Sequence, residues 1–187
     1  MHLLLNAIGF FILLITLIVF LIFIIKLVIY FFKRKNFPRK SLASTLIGIL
    51  LFLGIFIYIQ YFFSFNDIDR EYMQEGPEIS SPTGKYTANA YYEPYGGAAG
   101  GVNVWIEVTN NFDNTIKIIY YADAKSNVLM NWVDEESLSI INAGGGANSN
   151  RNVVLKVANE IYHENGLACK SLLMKNDYEE CYQYEKN

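Results

Sequence analysis

His163 stands between Glu160 and Glu164 and is the only histidine after position 2. Imidazole titrates near neutrality, so a carboxylate beside it can orient the ring for proton transfer. A metal centre would need more ligands, and the chain offers no second histidine in this region. Glu160 and Glu164 are four apart and would share a face on a helix, where Asp177 could join them around a hard cation. The competing reading is a pair of solvated charges beside the last strand. Cys169 near His163 has the residue types of a nucleophile and its base, yet no third, orienting group is visible. No catalytic residue, metal ligand or cofactor is therefore assigned, and a hydrolase ranks last among the functional readings.

Cys169 and Cys181 are 12 apart, a spacing that matches no zinc motif. In an oxidising compartment they are expected to form an intramolecular disulfide. Gly96-Gly97-Ala98-Ala99-Gly100-Gly101 has the flexibility of a phosphate-binding loop. It lacks the Walker spacing, however, and a strand-like segment follows where a helix is needed. A hairpin connection is the better reading, and the same holds for Gly144-Gly145-Gly146. Asp134-Glu135-Glu136 lacks the calcium-loop pattern and reads as a turn. Eleven of the 14 tyrosines follow position 66. Aromatics on a sheet face stack on a glycan or a protein partner, or pack across strands. Tyr91, Tyr92, Tyr95 and Trp105, beside the first glycine loop, are the candidate ligand surface.

The elements carrying these residues divide the chain sharply. The first 66 residues hold six of the 15 cations and none of the 18 anions, leaving the remainder with a net charge of −9. An acidic domain of this kind is a poor partner for nucleic acid, whose phosphates require cations. From Leu3 to Ile25 there are 23 residues without a charge, and a second uncharged run extends from Ser41 to Asn66. A 23-residue helix is about 34 Å long, enough for a bilayer's ~30 Å hydrocarbon core. Lys26 sits late in the first run, where its long stem can snorkel toward the headgroups. The first run lacks the basic start and small-residue cleavage site of a signal peptide.

Lys33, Arg34, Lys35, Arg39 and Lys40 crowd the connection at 33–40, which Pro38 turns into a tight loop. Short basic loops remain cytoplasmic. The expected layout is a two-helix transmembrane hairpin over 1–66, a juxtamembrane linker over 67–79 and an extracytoplasmic β domain over 80–187. Both termini then lie outside, in a multi-pass cell-membrane protein with the lipid bilayer as its first partner. Ser44 and Gly48 form a small-xxx-small pair at which the helices could meet.

In the polar part, Ser81-Pro82-Thr83-Gly84 predicts a type I turn. Alternation over Tyr86–Tyr92 and Val102–Asn110 predicts strands, and Asn110–Asn114 a hairpin turn into a strand at Ile116–Tyr121. Further strands are expected at Val128–Val133, Ser137–Ile141 and Asn152–Val157. The fold class is thus two transmembrane α-helices followed by a mainly β domain, an antiparallel meander or small sandwich of about six strands. Trp105 and Trp132 are expected to cover one face of it. Leu167–Met174 predicts a short C-terminal helix.

The segments Ser81–Tyr92, Gly96–Trp105, Ile119–Asp123, Trp132 and Ile161–Gly166 together resemble a bacterial family known only as a domain of unknown function. The resemblance covers about residues 79–183 and implies a small membrane-attached protein. It supplies no activity and no catalytic residues. The function expected from the whole is a non-catalytic, membrane-tethered domain that binds an envelope protein or glycan. The alternative is a small immunity or regulatory protein acting through its transmembrane helices.

Overall fold

The structure is a computed structural model describing residues 2–33, 36–68, 70–146 and 149–185. It divides into two compact units, Met1–Phe62 and Phe63–Asn187.

The first unit is a pair of helices, α1 (His2–Lys33) and α2 (Arg39–Tyr61). Both are long and apolar enough to cross a membrane, and their leucine, isoleucine and phenylalanine side chains are largely exposed. Pro38 occupies the N-cap of α2, consistent with the break read from the sequence. Lys33 ends α1 while Arg39 and Lys40 begin α2. Arg34 and Lys35 lie outside the described residues. A Cβ at Gly48 would collide with the Thr16 side chain, so glycine is what lets α2 approach α1 here. Ser44, the other half of the pair, instead donates to Lys40 O in its own helix. Lys26 Nζ donates to Ser41 Oγ at 3.3 Å, giving the cation a partner on the other helix.

α2 stops at Tyr61, before the uncharged run ends at Asn66. Ser64 accepts from the Asn66 N–H and opens a 3-10 turn at Phe65–Asp67. Phe63 and Phe65 are buried in the second unit, so apolarity without charge overstates the length of the helix.

The second unit contains nine strands among the described residues: β1 (Gln74–Ser80), β2 (Tyr86–Tyr95), β3 (Gly101–Asn110), β4 (Thr115–Asp123), β5 (Leu129–Trp132), β6 (Ser137–Ile141), β7 (Val153–Lys156), β8 (Glu160–His163) and β9 (Glu180–Tyr182). Six form one sheet in the order β1-β2-β3-β4-β8-β9, and β5-β6-β7 form another. The β1–β4 meander is antiparallel, as alternation predicts, whereas β8 pairs in parallel with β4 and β9 in parallel with β8. The large sheet is therefore mixed.

The second half of the segment read as a linker, from Gln74 onward, is an edge strand. Gly76-Pro77 interrupts the β1–β2 register between Glu75 and Glu78, and an edge or bulge is where a sheet tolerates proline. A Cβ at Gly76 would strike Tyr92 and the Ala90 carbonyl. The Ser81–Gly84 turn forms as predicted, with Gly84 N donating to Ser81 O at 2.9 Å and Gly84 at φ 74°. The short helix α3 (Leu167–Lys170) is a single turn rather than a run to Met174.

Two cores result. Val104, Ile106 and Val108 of β3 meet Leu138, Ile140 and Leu155 of the small sheet. Trp105, from the opposite side of β3, meets Phe63, Phe65, Ile118, Ile161, Ala168 and Met174. Successive β3 side chains point to opposite faces, so both faces of this central strand are dry. Trp132 packs against the first core and stacks on Tyr86 at 6.2 Å. The two tryptophans thus serve different faces, which corrects the expectation of a shared one. The β3–β4 register shifts between Ile106 and Glu107, which pair with Tyr120 and Ile118, so Ile119 is an extra residue on β4. This bulge breaks the alternation of β4 and turns both Ile119 and Tyr120 into the first core.

Candidate functional site

Tyr91 and Trp105 are direct cross-strand partners, and their rings stack at 5.7 Å. Trp105 is 0% exposed, and its indole N–H donates to Glu107 at 3.2 Å. It therefore presents no stacking face to a ligand, which corrects its assignment to a surface. Tyr91 is half-buried, takes a hydrogen bond from Asn89 Nδ2 and has its phenol pushed up by burial. Tyr92 points to the other side of β2, against the first core, and accepts from Val128 N. Tyr95 is 40% exposed at the end of β2, with its hydroxyl donating to Asp123 at 3.2 Å. Of the four residues that the sequence grouped, Tyr91 and Trp105 stay together on one face, Tyr92 lies on the other, and Tyr95 stands apart at the end of the strand.

The exposed member lies beside the glycine loop. Gly96 and Gly97 have φ of 75° and 62°, left-handed values that glycine adopts without a Cβ penalty. They lead into a 3-10 turn at Gly97–Ala99 and back into β3, so the loop is a hairpin connection. A cavity of about 470 Å³ opens there, lined by Pro94, Tyr95, Gly96, Gly97, Gly100 and Gly101 among others.

His163 is 1% exposed, with Phe63 edge-on at 4.9 Å and Tyr121 and Phe65 stacked at 5.0 and 6.3 Å. Neither ring nitrogen has a hydrogen-bond partner among the described residues. Burial holds its pKa down to about 4, so the ring is neutral at physiological pH. The flanking carboxylates do not reach it, because they flank it on a strand and its end rather than on a helix. Glu160 accepts from Lys156 N, while Glu164 accepts from Asp123 N at 2.7 Å and Arg151 Nε at 2.6 Å. Sealed by rings and without a proton partner, His163 is built as a packing residue.

Glu164 belongs to a polar cluster that ties the two sheets together. Lys125 bridges Asp123 at 2.6 Å and approaches Glu164 at 3.8 Å. The guanidinium of Arg151 lies 3.5 Å from the Tyr184 ring centre. Asn142, fully buried, donates to Tyr120 Oη and Asp123 O and accepts from Lys125 N. Burial pushes the Tyr120 phenol well up, and its hydroxyl donates to Arg151 O. With their acceptors and donors engaged, these groups orient backbone and leave little capacity for a substrate. On the opposite face, Glu107 is buried and takes both Trp105 and Arg70, the latter at 2.7 Å. No motif or spacing marks Glu107, Asn142 or Arg151; all three are ordinary polar residues until tertiary contact buries them.

Glu135 of the acidic turn accepts from Ser81 Oγ at 2.6 Å and Thr83 N at 2.9 Å, clipping the β5–β6 turn to the β1–β2 turn. The Ser81 hydroxyl holds its carboxyl below the usual range. Among the described residues, no group of three or more histidine, cysteine, aspartate or glutamate side chains is placed to hold a metal. Cys169 and Cys181 are joined as a disulfide, with Cα atoms 5.3 Å apart, between α3 and β9.

The fold defines a class: two apolar helices followed by a two-sheet β domain closed by a disulfide near its C-terminus. A family model described as a family of unknown function, DUF5412, matches residues 38–164. The chain belongs to that family. The match begins at Pro38, so it takes in α2 and strands β1 to β8, and it ends before β9 and the disulfide. No curated protein and no solved structure matches the chain.

Proposed function

We propose that this protein is a membrane-anchored, non-catalytic module whose β domain faces the extracytoplasmic side and binds an envelope component or protein partner. The disulfide carries the reading, since it belongs in an oxidising compartment. It agrees with the charge partition, in which cations gather between the two apolar helices and all the anions follow them. The enclosed state of His163 supports the non-catalytic part, because this imidazole has no route to a substrate. Tyr95 and the glycine-loop cavity are the contact surface in this reading, being the exposed remainder of the aromatic group.

The test combines orientation with capture. A cysteine placed at Ser126 should react with a membrane-impermeant maleimide on intact cells, and one at Asn36 should react only after lysis. The reverse pattern would overturn the orientation. A photo-crosslinking amino acid at Tyr95 should trap a discrete envelope product that is absent when the crosslinker stands at Val154. Equal yields at both positions would remove the proposed surface.

A further inference from the structure

The segment Lys170-Ser171-Leu172-Leu173-Met174-Lys175 has an apolar apex between two cations. Leu172 and Leu173 are 59% and 58% exposed, while Ser171 and Met174 on either side are buried. Lys170 and Lys175 are exposed as well. Two adjacent leucines are held largely in water and forgo most of the gain that burial would bring. The segment is also pinned. The Ser171 hydroxyl donates to Phe63 O at 2.6 Å and accepts from Leu173 N. Met174 and Ala168 pack in the second core with Phe63 and Phe65, and the disulfide fastens Cys169 just upstream.

Phe63 sets the location. It follows the last residue of α2, Tyr61, by two residues, so no more than about 7 Å of chain separates them. The headgroup layer of one leaflet is about 5–8 Å deep on the same scale. The leucine pair is therefore tethered, through one hydrogen bond and two residues, to the point where the chain leaves the apolar helix. No acidic residue lies between Asn165 and Asn176, although the polar part as a whole is −9. Apolar side chains flanked by lysines match a bilayer surface: leucines enter the acyl boundary while ammonium groups meet lipid phosphates.

We infer that this loop is a second membrane contact, with Leu172 and Leu173 inserted at the boundary between headgroups and acyl chains and Lys170 and Lys175 on lipid phosphates. It rests on reading α1 and α2 as spans and holds on either side of the membrane. It would fix the orientation of the β domain above the bilayer, which two residues of chain alone would leave free.

The test uses the full chain in vesicles of phosphatidylcholine and phosphatidylglycerol, with a nitroxide on a single introduced cysteine. The sites are Leu173→Cys, Val154→Cys on the outer side of the small sheet, and Leu50→Cys in α2. Oxygen partitions into lipid and a nickel chelate into water, so their collision rates report depth. The oxygen-to-nickel ratio should be several-fold higher at 173 than at 154, and higher again at 50. A Lys170→Gln, Lys175→Gln background should lower the ratio at 173 and leave that at 50 unchanged. If the label at 50 is in lipid but that at 173 matches 154, the inference fails and the anchoring reading stands. If the label at 50 is in water, both fail. Shielding of 173 from both reagents would mean protein contact and would also overturn it.

Discussion

One face of the six-stranded sheet is covered by a second sheet, while the other is covered by chain with no regular period. On the first face, aliphatic residues meet at strand spacing, and the polar groups at its margin, Asn142 and Tyr120, satisfy each other. On the second, Trp105, Tyr121, Phe63 and Phe65 surround a buried histidine and a buried glutamate. This covering consists of a 3-10 turn, a one-turn helix and loops, held by the Ser171–Phe63 bond and the disulfide. Sheet-on-sheet packing follows from the periodicity of each strand. A cover of loops has to be fastened point by point, so its individual residues matter more.

The largest effects should come from opening either core. Trp105→Ala should cost about 3–5 kcal/mol, and Leu138→Ala in the first core about 2–5 kcal/mol. Denaturant titration in detergent, following Trp132, measures both. The comparison predicts that Trp105→Ala also frees the loop cover, seen as faster proteolysis after Lys170 or Lys175, whereas Leu138→Ala does not. Equal cleavage in the two variants would break the distinction.

Reducing the disulfide should cost about 3 kcal/mol by the loop-entropy relation, and the Cys169→Ser, Cys181→Ser variant should match reduced wild type. The loss should appear first as hydrogen exchange around β8 and β9, with the small sheet remaining protected.

His163 gives the second face a pH dependence. Its folded pKa is about 4, against about 6.5 unfolded, so the unfolded chain takes up the proton first as pH falls. Its contribution is fully present above pH 6.5 and is lost between about pH 6.5 and 4, by up to ~3 kcal/mol in all. His163→Phe should flatten that part of the stability–pH curve. At pH 7 it should be neutral or stabilising by about 1 kcal/mol, because two unpartnered nitrogens leave the interior. An unchanged slope in the variant would show that His163 is not the group responsible.

The smallest effect is expected at Leu173. Leu173→Ser should change stability by less than about 0.5 kcal/mol in detergent, because the side chain is exposed. A larger loss would place Leu173 in the cover itself rather than at its edge.

The first core was legible because β2, β3, β5 and β6 alternate cleanly and are joined by turns with glycine, asparagine or acidic residues. β1 was hidden by its charges and by Gly76-Pro77, which break a central strand but are accommodated at an edge. β8 carried no signal. Ile161, Tyr162 and His163 are buried consecutively because both faces of the strand are covered, and a four-residue run of that kind has no period. β9, three residues long, exists only as the parallel partner of β8. Closeness in sequence grouped Tyr91, Tyr92, Tyr95 and Trp105 only partly correctly: Tyr91 and Trp105 do stack, but Tyr92 faces the other way and Trp105 is buried. Adjacent strand residues face opposite ways, and only the layer packed on each side decides which are dry.

Sequence alone determined the two apolar helices, the basic turn between them and the antiparallel meander, because length, charge and period are local properties. Tertiary structure decided the rest. It ended α2 at Tyr61 and drew Phe63 and Phe65 into the β domain, and it folded the second half of a charged linker into the sheet. It also turned a histidine flanked by carboxylates into a neutral ring among aromatics. Each of these outcomes depends on what lies across a gap of many residues, and burial is a property of the assembled chain rather than of any segment.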